Sequence, residues 1–214
     1  MMTKDKTRIR HLSIFLIWLF NITAVIGISM GQSEWFTDKT PLNMILILIT
    51  SVLVFPLNTS KKWGLFLFIG AFGIFVEWLG VHYGLIFGDY SYGQNFGPKL
   101  DGVPYLIGVN WAILVFITSE ISKKISLNYW VRAVIGAALM VFLDLFMEVS
   151  APIFDFWAFD GQVAPLQNYV GWFFVAVFLH LVLLRAKISI HPIFAQHLYA
   201  SQLAFFVYFF FWHL

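Results

Sequence analysis

Two acids stand four residues apart in a stretch that is otherwise apolar, Asp144 and Glu148 within Met140-Val-Phe-Leu-Asp-Leu-Phe-Met-Glu-Val-Ser-Ala-Pro152. On a helix that spacing puts both carboxyl groups on one face, one turn apart. A third acid, Glu77, interrupts another apolar run. Acids at membrane depth are costly and read first as functional. A carboxyl group away from water keeps its proton more readily, and a second acid nearby adds to the effect. Such a group can deliver that proton to a substrate. An alkene is a very weak base, so protonating one needs an acid in a dry, shaped site. The tertiary cation that results needs aromatic faces, which Trp78, Trp111, Trp157, Trp172, Tyr90, Tyr92 and Tyr105 could supply. Water polarised by a second carboxylate would then capture it. This chemistry calls for no metal, nucleotide or flavin.

The elements that must position these residues are membrane spans. Hydrophobic residues make up 60% of the chain and charged ones 11%, against about 25% charged in an ordinary soluble domain. Mean hydropathy is +0.83. Seven apolar runs are predicted to span: Leu12 to Met30, Leu42 to Leu57, Trp63 to Phe87, Val103 to Ile121, Leu127 to Val149, Asn168 to Leu184 and Pro192 to Trp212. The first lacks a small-residue cleavage site and reads as a helix rather than a signal peptide. With the N-terminus inside, only Lys39 and Lys99 of the 13 basic residues fall outside, as the positive-inside rule asks. The expectation is a single all-α, polytopic membrane domain over residues 1–214 with the C-terminus outside, in a bacterial or archaeal cytoplasmic membrane.

All three membrane acids then lie in the outer half, under two long loops, 88–102 and 150–167. Asp89 and Asp155 in those loops are candidates to relay protons or hold a lid. Glu120, beside Lys123 and Lys124, reads as an exposed ion pair at the inner surface.

The two loop-bearing hairpins resemble each other. Glu77 precedes Asp89-Tyr90-Ser-Tyr92, Pro104 and Trp111, whereas Glu148 precedes Asp155-Phe156-Trp157, Pro165 and Trp172, and Pro to Trp is seven residues in both. Both run in–out–in, so a symmetry axis relating them would be normal to the membrane. Gly70, Gly73, Glu77, Gly80 and Gly84 form a small-residue seam suited to close helix contact, expected to face the Gly136, Met140, Asp144 and Glu148 stripe.

Several other chemistries find no support. The chain has no cysteine, which removes disulfides and thiol nucleophiles. His82, His180, His191, His197 and His213 form no HxxxH or HExxH box, so no metal site is expected. The Asp144–Glu148 spacing is shared with diphosphate-magnesium motifs, but the outer face lacks the basic residues those need. The last span has no lysine for a retinal Schiff base. A proton-coupled or lipid transporter, using the acids as a relay, is the alternative.

Glu77-Trp-Leu-Gly80, Gly88-Asp-Tyr-Ser-Tyr92, Gly97-Pro-Lys-Leu100, Gly102-Val-Pro104 and Asn110-Trp111 resemble the first signature block of the CruF-type carotenoid hydratases. Asp144-Leu with Glu148 and Pro152, Trp157-Ala-Phe159, Val163-Ala-Pro165 and Asn168-Tyr-Val-Gly-Trp172 resemble the second. The resemblance covers residues 70–175. It departs from the family pattern where three residues separate Glu148 from Pro152. It implies cofactor-independent addition of water to the terminal 1,2 (1′,2′) double bond of an acyclic, lycopene- or γ-carotene-like end, giving a tertiary alcohol. The candidate catalytic residues are Asp144, Glu148, Glu77, Asp89 and Asp155. Candidate substrate contacts are Tyr90, Tyr92, Tyr105, Asn110, Trp111, Trp157, Asn168 and Trp172. The implied partners are the carotenoid, water, the bilayer and other carotenoid enzymes, with no nucleic acid.

Overall fold

The computed structural model describes residues 2–213. Eight helices occur among them: α1 (Met2–Ser29), α2 (Ser33–Asp38), α3 (Thr40–Val54), α4 (Ser60–Tyr83), α5 (Tyr105–Ile125), α6 (Tyr129–Ser150), α7 (Leu166–Arg185) and α8 (Pro192–His213). Six of them, α1 and α4 to α8, are long and apolar enough to cross a membrane. The chain is an all-α integral membrane protein.

The expected second span is the exception. It becomes α3, only 15 residues long. At 1.5 Å per residue it reaches about 22 Å, short of the roughly 30 Å hydrocarbon core. Phe55 turns extended (ψ 143°) ahead of Pro56 and stops the helix. The third span is also shorter than its hydropathy suggests. It ends at Tyr83, where Gly84 adopts the left-handed conformation (φ +61°) that closes a helix. At the other ends, the Thr59 hydroxyl accepts from the Lys62 amide and the Asn128 side-chain Oδ1 from the Trp130 and Val131 amides.

Helix α5 is the hub. Nearly every residue from Ile107 to Ser119 is buried, because α4, α6, α3, α7 and α8 all pack around it, while α1 leans on α3 and α8. The glycine seam of α4 meets this hub rather than α6 as expected. A Cβ at Gly70 would lie 3.0 Å from the Gly108 carbonyl oxygen, and one at Gly73 would lie 2.6 Å from Trp111 Cγ. At Gly80 the close neighbour is Tyr90, at 2.7 Å. Small residues are needed there because a backbone and two large rings occupy the space.

The long loops hold the strands that hydropathy does not reveal. β1 (Tyr90–Tyr92) and β4 (Trp157–Phe159) pair antiparallel, with Ser91 opposite Ala158. β2 (Lys99–Leu100) and β3 (Val103–Pro104) form a tight hairpin. Its two-residue turn, Asp101-Gly102, has positive φ at both positions (+48° and +82°), as primed hairpin turns require. The β1–β4 ribbon joins the two hairpins inferred from the sequence. A two-fold axis through the Ser91–Ala158 pair relates Tyr90 to Trp157 and Tyr92 to Phe159.

At the opposite end, Glu120 does pair with Lys123, at 3.8 Å, but as a buried residue rather than an exposed one. It is 8% exposed. Its Oε2 accepts from Ser189 Oγ at 2.7 Å and the Ile190 amide at 3.2 Å, so it ties down the α7–α8 connection.

Gly73→Ala should lower the melting temperature of the detergent-solubilised protein, because forcing a methyl group against Trp111 costs about 1–3 kcal/mol. Gly64→Ala, where nothing lies within 4 Å, should leave it unchanged or slightly higher.

Candidate active site

Each hairpin folds its own ribbon strand back over its own acid. Glu77, near the end of α4, is 3% exposed. Its Oε2 accepts from the Tyr90 hydroxyl and, at 2.8 Å, from the Tyr92 hydroxyl. Its Oε1 accepts from Trp111 Nε1 at 2.8 Å. Burial first, and then the charge of Glu77, push both phenols well above the usual tyrosine range, so they act as donors.

Glu148, near the end of α6, is held in the corresponding way. Its Oε2 accepts from Trp157 Nε1 at 3.0 Å. Its Oε1 accepts from Asn168 Nδ2 at 2.9 Å, and the same amide donates to Asp144 Oδ2 at 3.0 Å. One NH₂ group thus bridges two carboxyls a helical turn apart, using both of its hydrogens. Asp144 is fully buried, and its Oδ1 has no hydrogen-bond partner.

Glu77 and Glu148 line one cavity of about 10 Å³, together with Tyr90, Tyr92, Trp157, Asn168 and Trp172. That is room for about one water. Trp111 and Trp172, each seven residues after its hairpin's proline, stack with centroids 4.2 Å apart. Phe159 and Ile107 complete the lining. Phe159 stands in the sequence only within the Trp157-Ala-Phe159 signature and Ile107 in none, and neither is a site candidate there.

Other candidates lie elsewhere. Asp144 does not border the cavity and reaches it through Asn168. Asp89 is exposed, and its backbone carbonyl accepts from the Asp160 amide. Asp155 is exposed, with positive φ (+53°), and its carboxylate accepts from the Gln94 amide at 2.7 Å. Both are loop-building residues outside the acid cluster. Tyr105 is 49% exposed and points away. Trp78 donates to Asp101 Oδ2 at 2.8 Å at the bundle surface. That bond, more than the nearby His82, holds the Asp101 carboxyl below the usual range. Asn110 is buried but lines a different chamber. Asn168 is in place, but as the bridge between acids rather than as a free substrate contact. Among the described residues, no group of three or more His, Asp or Glu side chains could hold a metal ion.

A match to the carotenoid biosynthesis proteins runs over residues 40–214, from α3 to the end of the chain and across every residue of this cluster. The chain belongs to that family. It is also similar to the bisanhydrobacterioruberin hydratase of Haloarcula japonica, at 29% identity over 127 residues. That similarity covers 56% of this chain but 43% of the relative, so the chain matches less than half of the relative's length. No solved structure matches. Membership extends the resemblance read from residues 70–175 into α3 and α8, which the sequence matched only in hydropathy.

Asn168→Leu should destabilise the protein by about 1–3 kcal/mol, since two buried acceptors lose their shared donor. Gln167→Ala, which removes only an exposed bond to the Gly84 carbonyl, should stay within about 0.5 kcal/mol. Thermal melting of the two variants side by side makes the comparison.

Proposed function

We propose that this member of the carotenoid biosynthesis family is a hydratase, adding water across the terminal C1=C2 bond of an acyclic carotenoid end. The observation that carries this is the pair of carboxyl groups, Glu77 and Glu148, on one small cavity walled by indole and phenol rings. The hydratase named above supports it.

In this reading Glu148 is the acid. It borders the cavity, and only two donors engage it. Its carboxylic proton adds to C2 of the alkene, and the positive charge develops at C1, a tertiary carbon. Trp157, Trp172, Tyr90 and Phe159 line the cavity around that charge and supply the aromatic surroundings it needs. Both Glu77 oxygens are occupied as acceptors from three donors. It faces the cation as a fixed negative group and orients the attacking water. Water bonds to C1 and loses a proton to the Glu148 carboxylate, which restores the acid and leaves the tertiary alcohol. The balance is one alkene and one water giving one alcohol, with the acid regenerated, and these steps need no cofactor.

Asp144 is a positioning residue here, acting on Glu148 through Asn168. The end group must displace side chains to enter a cavity that holds about one water, which keeps bulk water from quenching the acid. A transporter would instead need a hydrated path past the acids, whereas this ring-lined cavity has room for about one water. The charge distribution supports a cytoplasmic N-terminus with the ribbon at the outer face of a bacterial or archaeal cytoplasmic membrane, because α3, though short, still returns the chain from Thr37 beside the ribbon loop's Asn95 to Phe55 beside Phe194 at the other end of the bundle.

Expression in a bacterial host that makes lycopene or γ-carotene, with mass analysis of extracted pigments, tests the reading. Wild type should add the mass of one water per hydrated end. Glu148→Gln and Glu77→Gln should each lower product about 100-fold or more. Asp144→Asn should retain measurable activity in isolated membranes with a displaced pH–rate profile. Absence of any hydrated pigment from a host with well-inserted wild type would overturn the proposal for these end groups.

A further inference from the structure

A second polar chamber, of about 70 Å³, lies among α1, α3, α5, α6 and α8. The acid cavity instead borders α4, α7 and the ribbon. Helices α5 and α6 and the strand β4 separate the two, and neighbouring residues serve opposite sides. Asn110 lines the chamber while Trp111 bonds to Glu77, and Phe156 lines it while Trp157 bonds to Glu148.

Three buried polar atoms on residues lining this chamber have no hydrogen-bond partner: Asn110 Nδ2, Gln202 Oε1 and Asn43 Oδ1. Asn110 is 5% exposed and Gln202 9%. Buried polar groups are rarely left unpaired, so three of them around one chamber point to an occupant. Asn21, Asn43, Asn110 and Gln202 line the chamber with neutral amides, each a donor and an acceptor, and no ionisable side chain does so. A hydroxyl matches such a set, since it can accept from one amide and donate to another. A carboxylate would find no cation there to balance its charge, and a ketone could only accept.

The chamber continues into an apolar groove of about 460 Å³, with which it shares Thr40, Asn43, Phe156 and Phe205. The groove follows α1 from Leu19 to Ile28, about 14 Å of helix. Leu19, Phe20 and Leu42 on its walls are exposed, so it opens at the lipid-facing surface.

We infer that groove and chamber together form a binding site for an isoprenoid alcohol, with the chain along α1 and the hydroxyl among Asn110, Gln202 and Asn43. The preference for a hydroxyl stands on this geometry alone. Naming the ligand as a hydrated carotenoid end rests on the hydratase reading. On that reading the site receives the product's alcohol and keeps it apart from the acids that could dehydrate it again.

The test uses the full-length protein in detergent with tritiated geranyllinalool, an isoprenoid tertiary alcohol, beside its hydrocarbon analogue and palmitate. Saturable binding of one alcohol per chain is expected, at least about ten-fold tighter than either comparison ligand. Gln202→Leu and Asn110→Leu should each weaken it about ten-fold. Thr23→Trp, at an exposed position on the groove wall, should block it without touching the chamber. Equal binding of alcohol and hydrocarbon, tighter binding of palmitate, or no saturable binding to monodisperse protein (a chamber holding only water) would each overturn the inference. Hydrated pigment in the host assay without alcohol binding sinks this site and spares the hydratase; alcohol binding without hydrated pigment does the reverse.

Discussion

Three carboxyl groups inside a helical bundle in lipid have no water to turn to, so the protein must provide their hydrogen bonds itself. Their own helices cannot do so, because the backbone amides around them are already committed. The donors come instead from outside the helices and from neighbouring ones. Tyr90, Tyr92 and Trp111 serve Glu77, while Trp157 and Asn168 serve Glu148, with Asn168 serving Asp144 as well. Meeting that demand brings the two loops down onto the helix ends, where β1 and β4 pair. The ribbon, the stacked Trp111 and Trp172 and the glycines of α4 all follow from the need to bring large donor side chains to buried acids.

The two hairpins meet the demand almost symmetrically, and the departures are informative. Four residues before Glu77 stands Gly73, whereas four before Glu148 stands Asp144. Three residues after Pro104 stands Ile107, whereas three after Pro165 stands Asn168. In the first hairpin the absent side chain lets the Trp111 ring press against α4. In the second, the corresponding places carry a polar bridge. A two-fold scaffold thus holds one doubled acid site and one single one. Such an arrangement can give chemically different tasks to carboxyl groups set in similar helices.

The central position of α5 sets a second division. Because it is buried all round, consecutive residues on it face different compartments, so Asn110 and Trp111 belong to separate cavities. The same holds at Phe156 and Trp157. One cavity is acidic and ring-walled, and the other is lined by neutral amides and reaches lipid through an apolar groove. Their separation by packed side chains keeps two polar environments from merging in a small bundle.

Much of this was legible in the sequence. Asp144 and Glu148 share a face because helical periodicity places them there, and the apolar runs define the long helices because lipid demands them. Pro104, Pro165 and the tryptophans seven residues beyond each marked the repeat before any strand was visible. The strands themselves were not legible: three-residue segments such as Tyr90–Tyr92 carry too little period-two pattern to register, and their pairing joins positions far apart in the chain. Hydropathy likewise counted α3 as a span, since it measures apolarity and not the length at which Phe55 and Pro56 end the helix. By itself, then, the sequence determined the fold class, the membrane setting, the family resemblance and the acids, all of which depend on local composition and spacing. Only the tertiary structure decided that Glu148 and not Asp144 shares the cavity with Glu77, that Asn168 bridges to Asp144 behind it, and that Asn110 faces elsewhere. Those outcomes depend on which helix faces meet across the bundle, and helices that are apolar on every side leave that choice to packing.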